Sequence, residues 1–324
     1  MRLSLLIIAL LPLFSTVTFA QATFEKADAC ADTFGQSYTD AAELARQLTS
    51  PFKTETEKAR VIYTWIARHI RYDCEKFKHP ETVRFSGQTA DDLKQQQEKW
   101  EAEQIRQTLR KKRGVCEDYS RLFKSMCDAA GLEAAVITGW GRSFYQPFRK
   151  LPKKPNHAWN AVKTDGQWRL VDVTWAAGYT DERVKKFTAY FQSGYFFTPP
   201  DRFVEDHLPL EEKWQLSPCL VSRESFPLTA WSNSAQKEYP IEDYWPKSGK
   251  LLPQDRQMEI CIKFVQTPPV LVVASNNSLA LDFQQTIEDD FIVLRFKAPA
   301  RGEVGVYGGA DKKGKKEWLL RYAY

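Results

Sequence analysis

The sequence predicts an α+β chain: N-terminal helices packed on an antiparallel sheet, followed by a small C-terminal β-sandwich. Three observations predict it. Before residue 131 apolar side chains recur at helical spacing in several runs. From Ala134 to Trp175 the pattern changes to short runs rich in β-branched and aromatic residues, broken by turn residues. Beyond Ala230, strand-like runs follow one another with no helical period between them. A chain of 324 residues can bury two cores by the soft rule of about 150 residues each.

Each element has its own local reason. Met1-Arg2 and the apolar run Leu3 to Phe14, closed by small residues at Ala20 or Ala22, read as a secretory signal. The run is shorter than the ~20 residues of a membrane span, so the mature chain is expected in a periplasm or secreted, with no stable span left. Asp40 to Leu48 reads as a short helix. Thr54-Glu55-Thr56-Glu57 has the form of a capping box, and it opens a helix with Ala59, Ile62, Tyr63, Ile66 and Ile70 on its apolar face. Cys74 to Gly87 is expected as a loop. Gln88 to Lys112 is polar and helical, with only Leu93, Trp100, Ile105 and Leu109 to bury, so it is either a solvated helix packed by one narrow stripe or a lid or partner-binding element. The cations Arg110 to Arg113 complement the dipole at its C-terminal end.

Tyr119, Leu122, Phe123, Met126 and Ala130 predict the next helix, which Gly131 stops and Cys116 begins. The run Ala134 to Gly139 reads as the strand after it. Asn156 to Val162 and Trp168 to Trp175 then read as paired strands joined by the turn Thr164-Asp165-Gly166-Gln167. Between them and the first strand lies a loop with Phe144, Tyr145 and Phe148 as apolar contacts. Strands at Glu259–Phe264, Val270–Val273, Leu279–Leu281, Phe291–Phe296 and Glu303–Tyr307 make up the sandwich.

The chemistry sits between Arg113 and Trp175. A helix N-terminus offers unpaired N–H groups and a positive dipole end, which favour the thiolate of Cys116. Antiparallel strands can bring His157 and Asp172 side by side, so that a nucleophile, its base and the group that orients the base occur in order. These blocks, Arg-Gly-Val-Cys-Glu-Asp-Tyr (113 to 119), Asn-His-Ala-Trp-Asn (156 to 160) and Trp-Arg-Leu-Val-Asp-Val-Thr-Trp (168 to 175), resemble the transglutaminase-like superfamily of papain-type cysteine enzymes. The helix carrying Trp65 and ending in Arg71-Tyr72-Asp73 is similar to the first helix of that family. Tyr195–Pro199 and His207–Leu216 resemble the tail of its kyphoscoliosis-peptidase branch.

The resemblance implies a papain-like core over residues 23–229, after a signal at 1–22 and before the β-sandwich at 230–324. It implies Cys116, His157 and Asp172 as the catalytic triad, acting on peptide or side-chain amides through a thioester that water resolves. Protein cross-linking by an amine, or a cell-envelope binding protein without turnover, are the alternatives. Trp159, Trp175 and Tyr145 are candidate substrate contacts, with core packing the alternative for the two tryptophans. His207, flanked by Asp206 and Leu208-Pro209, is expected to be structural.

The partner expected is a protein or peptide, in the cell envelope if the chain is exported; oligomeric state stays open. A net charge of +5 with no basic patch on a binding module gives no argument for nucleic acid. No cofactor or metal is expected: there is no Cys-x-x-Cys or His-x-x-x-His pair, and no Asp-x-Asp-x-Asp-Gly calcium loop. If Cys116 is a free nucleophile and Cys127 is buried packing, four of the six cysteines remain that could form two bridges in an oxidising compartment.

Overall fold

Helices come first and strands later along the chain, as the periodicity predicts. A computed structural model describes residues 17–35, 38–142, 151–232, 239–275, 279–299, 302–314 and 316–323. The apolar signal run up to residue 16 and the aromatic loop residues Phe144, Tyr145 and Phe148 lie outside these. Among the described residues no helix is long and apolar enough to cross a membrane.

Helix α1 spans Val17–Thr33, α2 Ala41–Thr49 and α3 Glu55–His69. Local capping sets their starts: Asp40 accepts from the backbone of Ala42 and Glu43, and Thr54 and Glu57 form the expected capping box. A partly buried ion pair ties α1 to α3, with the Arg60 guanidinium forking onto both Asp28 oxygens at 2.7 Å. Strand β1 (Arg71–Tyr72) follows, and the expected loop after it begins as a short helix, α4 (Cys74–Lys78), because Asp73 caps the Lys76 N–H. Helix α5 spans Ala90–Lys111 and starts at a Thr89/Asp92 capping box. Strand β2 (Arg113–Gly114) pairs with β1 and leads straight into α6 (Cys116–Ala129).

The central sheet contains β3 (Ala134–Gly141), β4 (His157–Thr164) and β5 (Gln167–Val171). After β5 come α7 (Val173–Ala177), the hairpin of β6 (Gly178–Thr180) and β7 (Phe187–Ala189), α8 (Pro200–Phe203) and β8 (His207–Pro209). The sheet order is β5-β4-β3-β8, all antiparallel. The second predicted strand does not run on to Trp175. It ends at Val171, because Asp172 turns to accept the Trp175 N–H at 2.9 Å and so caps α7. One apolar core joins α1, α2, α3, α6, α7 and the sheet, with Trp65, Tyr119 and Phe123 among its largest buried side chains.

The later strands are β9 (Trp231–Ser232), β10 (Ile241–Trp245), β11 (Gln257–Phe264), β12 (Val270–Ser275), β13 (Leu279–Leu281), β14 (Phe283–Glu288), β15 (Phe291–Lys297), β16 (Glu303–Gly309) and β17 (Glu317–Ala323). They form two antiparallel sheets, β10-β11-β15-β14 and β13-β12-β16-β17-β9. Alternate residues of both sheets meet in a second core: Met258, Ile260 and Ile262 with Leu294 and Phe296 on one side, Val273, Val304, Val306, Leu320 and Tyr322 on the other. Arg142, buried at the end of β3, donates to the carbonyls of Phe226, Thr229 and Ala230 and so fastens the central sheet to the start of this region. All six cysteines are free thiols, so neither expected bridge is formed. The four cysteines concerned sit on separate elements: Cys30 in α1, Cys74 in α4, Cys219 in an exposed loop and Cys261 in β11.

Candidate active site

Cys116 is the first residue of α6, so its N–H has no carbonyl four residues back to pair with. The start of that helix is fixed by Asp118, whose carboxylate accepts the Val115 N–H at 2.8 Å and is held in turn by Lys76 Nζ at 2.8 Å. Gly114 is required there, since a Cβ would lie 2.7 Å from Asp118 Cβ. Asn160, fully buried in β4, donates to Ser120 O and Ala135 O at 3.0 Å and locks the Cys116 helix against the sheet.

His157 opens β4. Its Nε2 lies 2.6 Å from Asp172 Oδ2, and the ionised carboxylate only accepts, so the proton sits on Nε2 and donates to Asp172. Nδ1 is then the ring nitrogen left for Cys116, whose side chain is a hydrogen-bonding neighbour of the same imidazole. Burial disfavours a charged His157, but the Asp172 carboxylate outweighs it and pushes the imidazole's pKa well above its ordinary value. Burial likewise opposes the Asp172 charge, and the two imidazoles on its Oδ2 overcome this and hold it below the usual carboxylate range. Both groups are therefore charged partners, Asp172 fully buried and His157 nearly so.

The second of those imidazoles is His207, 3.0 Å from Asp172 Oδ2 through Nε2 and 2.5 Å from Asp206 Oδ1 through Nδ1. The expectation treated it as structural, since the triad already had its base. The signal present in the sequence was the Asp206-His207 pair itself; what it lacked was the pairing of β8 with β3. In that pairing Gly141 faces His207 and Gly139 faces His157 across β3. The two glycines let neighbours close on β3: a Cβ at 139 would lie 2.2 Å from Leu208 O of β8, and one at 141 would lie 2.9 Å from the His157 ring. His157, Asp172 and His207 offer three donor atoms within 4.8 Å of one another, a spacing that could also hold a metal ion, but hydrogen bonds already join them through Asp172.

Cys116 and His157 line an open cleft of about 440 Å³, with Trp100 and Gln104 of α5, Arg121 of α6 and Asn156 around them. Helix α5 is thus a wall of the cleft: Gln104, Thr108 and Leu109 are buried, and Arg121 stacks on Trp100 at 4.7 Å. Trp175 is half-buried and stacks on the His157 ring at 4.9 Å, which supports the imidazole from behind. The proposal of Trp159 as a substrate contact is corrected. Trp159 is 1% exposed, packed between Phe203 and His207 in the core, so the packing alternative is the one observed. Tyr145 lies among the residues not described.

Residues 42–173, which contain Cys116, His157 and Asp172, match the family model of the transglutaminase-like superfamily. The chain is 34% identical over 175 residues to kyphoscoliosis peptidase of Mus musculus, covering 54% of this chain and 24% of that protein. It is 26% identical over 316 residues to the Lim and transglutaminase domain protein ltd-1 of Caenorhabditis elegans, covering 89% of this chain and 40% of that one. The chain thus spans well under half the length of either relative. A solved structure described as a TGase is 15% identical, with a TM-score of 0.28 over 50% of this chain and 35% of its own.

Proposed function

We propose that this chain, transglutaminase-like across residues 42–173, is an exported cysteine enzyme that hydrolyses peptide or side-chain amide bonds through Cys116, His157 and Asp172. One observation carries the reading: an imidazole buried against an ionised carboxylate at 2.6 Å lines one open cleft with a cysteine at a helix N-terminus. Cys116 Sγ adds to the amide carbonyl while His157 carries the thiol proton as imidazolium. Collapse breaks the C–N bond, and His157 Nδ1 gives that proton to the leaving amine, forming a thioester. Water then attacks with His157 taking its proton, and the acid and the free thiol are released. Asp172 holds the ring's tautomer and charge throughout. The Cys116 N–H is a donor suited to the oxyanion.

Iodoacetamide labelling at neutral pH with mapping of the modified residue tests the nucleophile. Cys116 is expected to react first of the six thiols, and Cys116→Ala should abolish cleavage of quenched peptide and glutaminyl-amide substrates. Preferential labelling of Cys127 or Cys261 overturns the reading. A primary amine added to the same assay separates outcomes, since its incorporation in place of free acid would make the enzyme a transferase. Export has its own test in N-terminal sequencing of the natural product, with a start expected near Gln21 or Thr23. The residues that anchor α1, Ala27, Asp28 and Ala31, all lie beyond that point. An intact Met1 in a soluble cytoplasmic fraction rules export out.

A further inference from the structure

We propose that His207 is a positioning residue of this site, an imidazolium held between Asp206 and Asp172 that fixes the Asp172 carboxylate toward His157 and shares its charge. The inference rests on the Cys116–His157–Asp172 reading and adds a fourth and fifth member behind it. The geometry requires a proton count. Both ring nitrogens of His207 face carboxylate oxygens, Nδ1 at 2.5 Å from Asp206 and Nε2 at 3.0 Å from Asp172. Ionised carboxylates only accept, so both nitrogens must donate and the ring is a cation.

Its surroundings suit a cation despite complete burial. Phe203 stacks on the ring at 4.0 Å, with Trp175 tilted at 4.3 Å and Trp159 edge-to-face at 5.1 Å, and the stacked π face attracts positive charge. The titratable groups facing it are Asp206 on its own segment, Asp172 at the start of α7, His157 on β4 and Tyr195 at 6.1 Å. Arg142 and Glu205 stand behind Asp206. Burial opposes a charge on His207, and the two carboxylates outweigh it.

The consequence for the chemistry has a sign. A fixed cation 5.5 Å from the His157 ring competes for Asp172 and makes a second charge on His157 less favourable. Replacing it with a neutral donor should raise the pH at which His157 loses its proton. The limb of the Cys116 alkylation profile that follows the His157 charge then moves alkaline, by about one pH unit at the screened strength of such a pair.

The experiment uses the full chain and its four histidines. Long-range proton–nitrogen NMR correlation reads the protonation of each ring, and His207→Gln, which keeps an amide donor for Asp172, assigns the signal. His207 should show two protonated nitrogens up to pH 8, and the iodoacetamide rate of Cys116 against pH should shift alkaline in the variant. A His207 ring with one bare nitrogen at pH 7, or a variant whose profile stays in the wild-type place, overturns the proposal. If His207→Gln does not fold, Asp206→Asn keeps the ring and removes one of its two carboxylates, and the same two readouts apply. Failure of the catalytic reading is separate: an unreactive Cys116 would leave the NMR result on His207 to stand alone.

Discussion

Asp172→Asn is the perturbation that reaches furthest into this site. The carboxylate is fully buried, accepts from His157 and His207 through Oδ2 at 2.6 and 3.0 Å, and caps α7 through Oδ1 at 2.9 Å. The asparagine can keep the cap, but its NH₂ then opposes two ring N–H donors. Opening one side of a buried charge pair costs about 3–5 kcal/mol, so a clear fall in melting temperature is expected. The chemical effect is larger: with the tautomer no longer held, turnover should drop on the order of 10⁴-fold, as for orienting acids in other triads. Without the Asp172 charge, the strongest opposition to burial is gone and only Cys116 is left to favour the charged ring, so His157 should titrate at lower pH than in the wild type and the alkaline limb of Cys116 alkylation should move to lower pH. The linkage sign follows from both groups. His157, raised in the folded state, adds stability that is complete below about pH 6.5 and fades as pH climbs through its raised value. Asp172, lowered in the folded state, adds stability that is present above about pH 4 and is lost as pH falls through its depressed value. The stability gap between wild type and variant should therefore be widest between those limits. Melting temperature and thiol alkylation against pH, measured on the same variant, check this. An unchanged alkylation profile beside a lowered melting point would refute the reasoning and leave Asp172 as a strand-to-helix tie only.

Two further outcomes are expected. Gly141→Ala puts a Cβ 2.9 Å from the His157 ring, and a shift of that ring by a fraction of an ångström should lower kcat/KM on the order of tenfold or more; turnover equal to wild type would show that the ring position tolerates the methyl. Glu205 is largely buried, its side chain 11% exposed, and is pushed up to about 7 by desolvation despite Arg202 at 2.7 Å, so the folded state keeps a proton there that the unfolded chain has already lost. Stability should then fall by about 3 kcal/mol as pH rises from roughly 4.5 to 7; urea unfolding at pH 5 and 8 reads the slope, which Glu205→Gln should flatten, and an equal slope in that variant would exclude Glu205 as its source.

What the sequence determined by itself was whatever rests on neighbours along the chain. The caps at Asp40, at Thr54 with Glu57 and at Thr89 with Asp92 place helix starts through bonds spanning two or three residues, and Cys116 begins α6 for the same local reason. Alternating apolar residues found β11, β12, β15 and β16, but the inner strand β17 and the edge strand β10 were not read, and β14 was missed because it carries Gln284, Gln285, Thr286 and Glu288 on an exposed edge. The end of the strand at Val171 was missed as well, since a strand-like pattern continues through Asp172 and only the cap to Trp175 shows the turn. Tertiary structure alone decided that Trp159 lies in the core and not at the cleft, because strand alternation cannot say which face is covered. It also decided the company Asp172 keeps. His207 is 35 residues away in the chain, and no local pattern records that β8 would pair beside two glycines of β3, leaving just enough space for a second imidazole to reach the same oxygen.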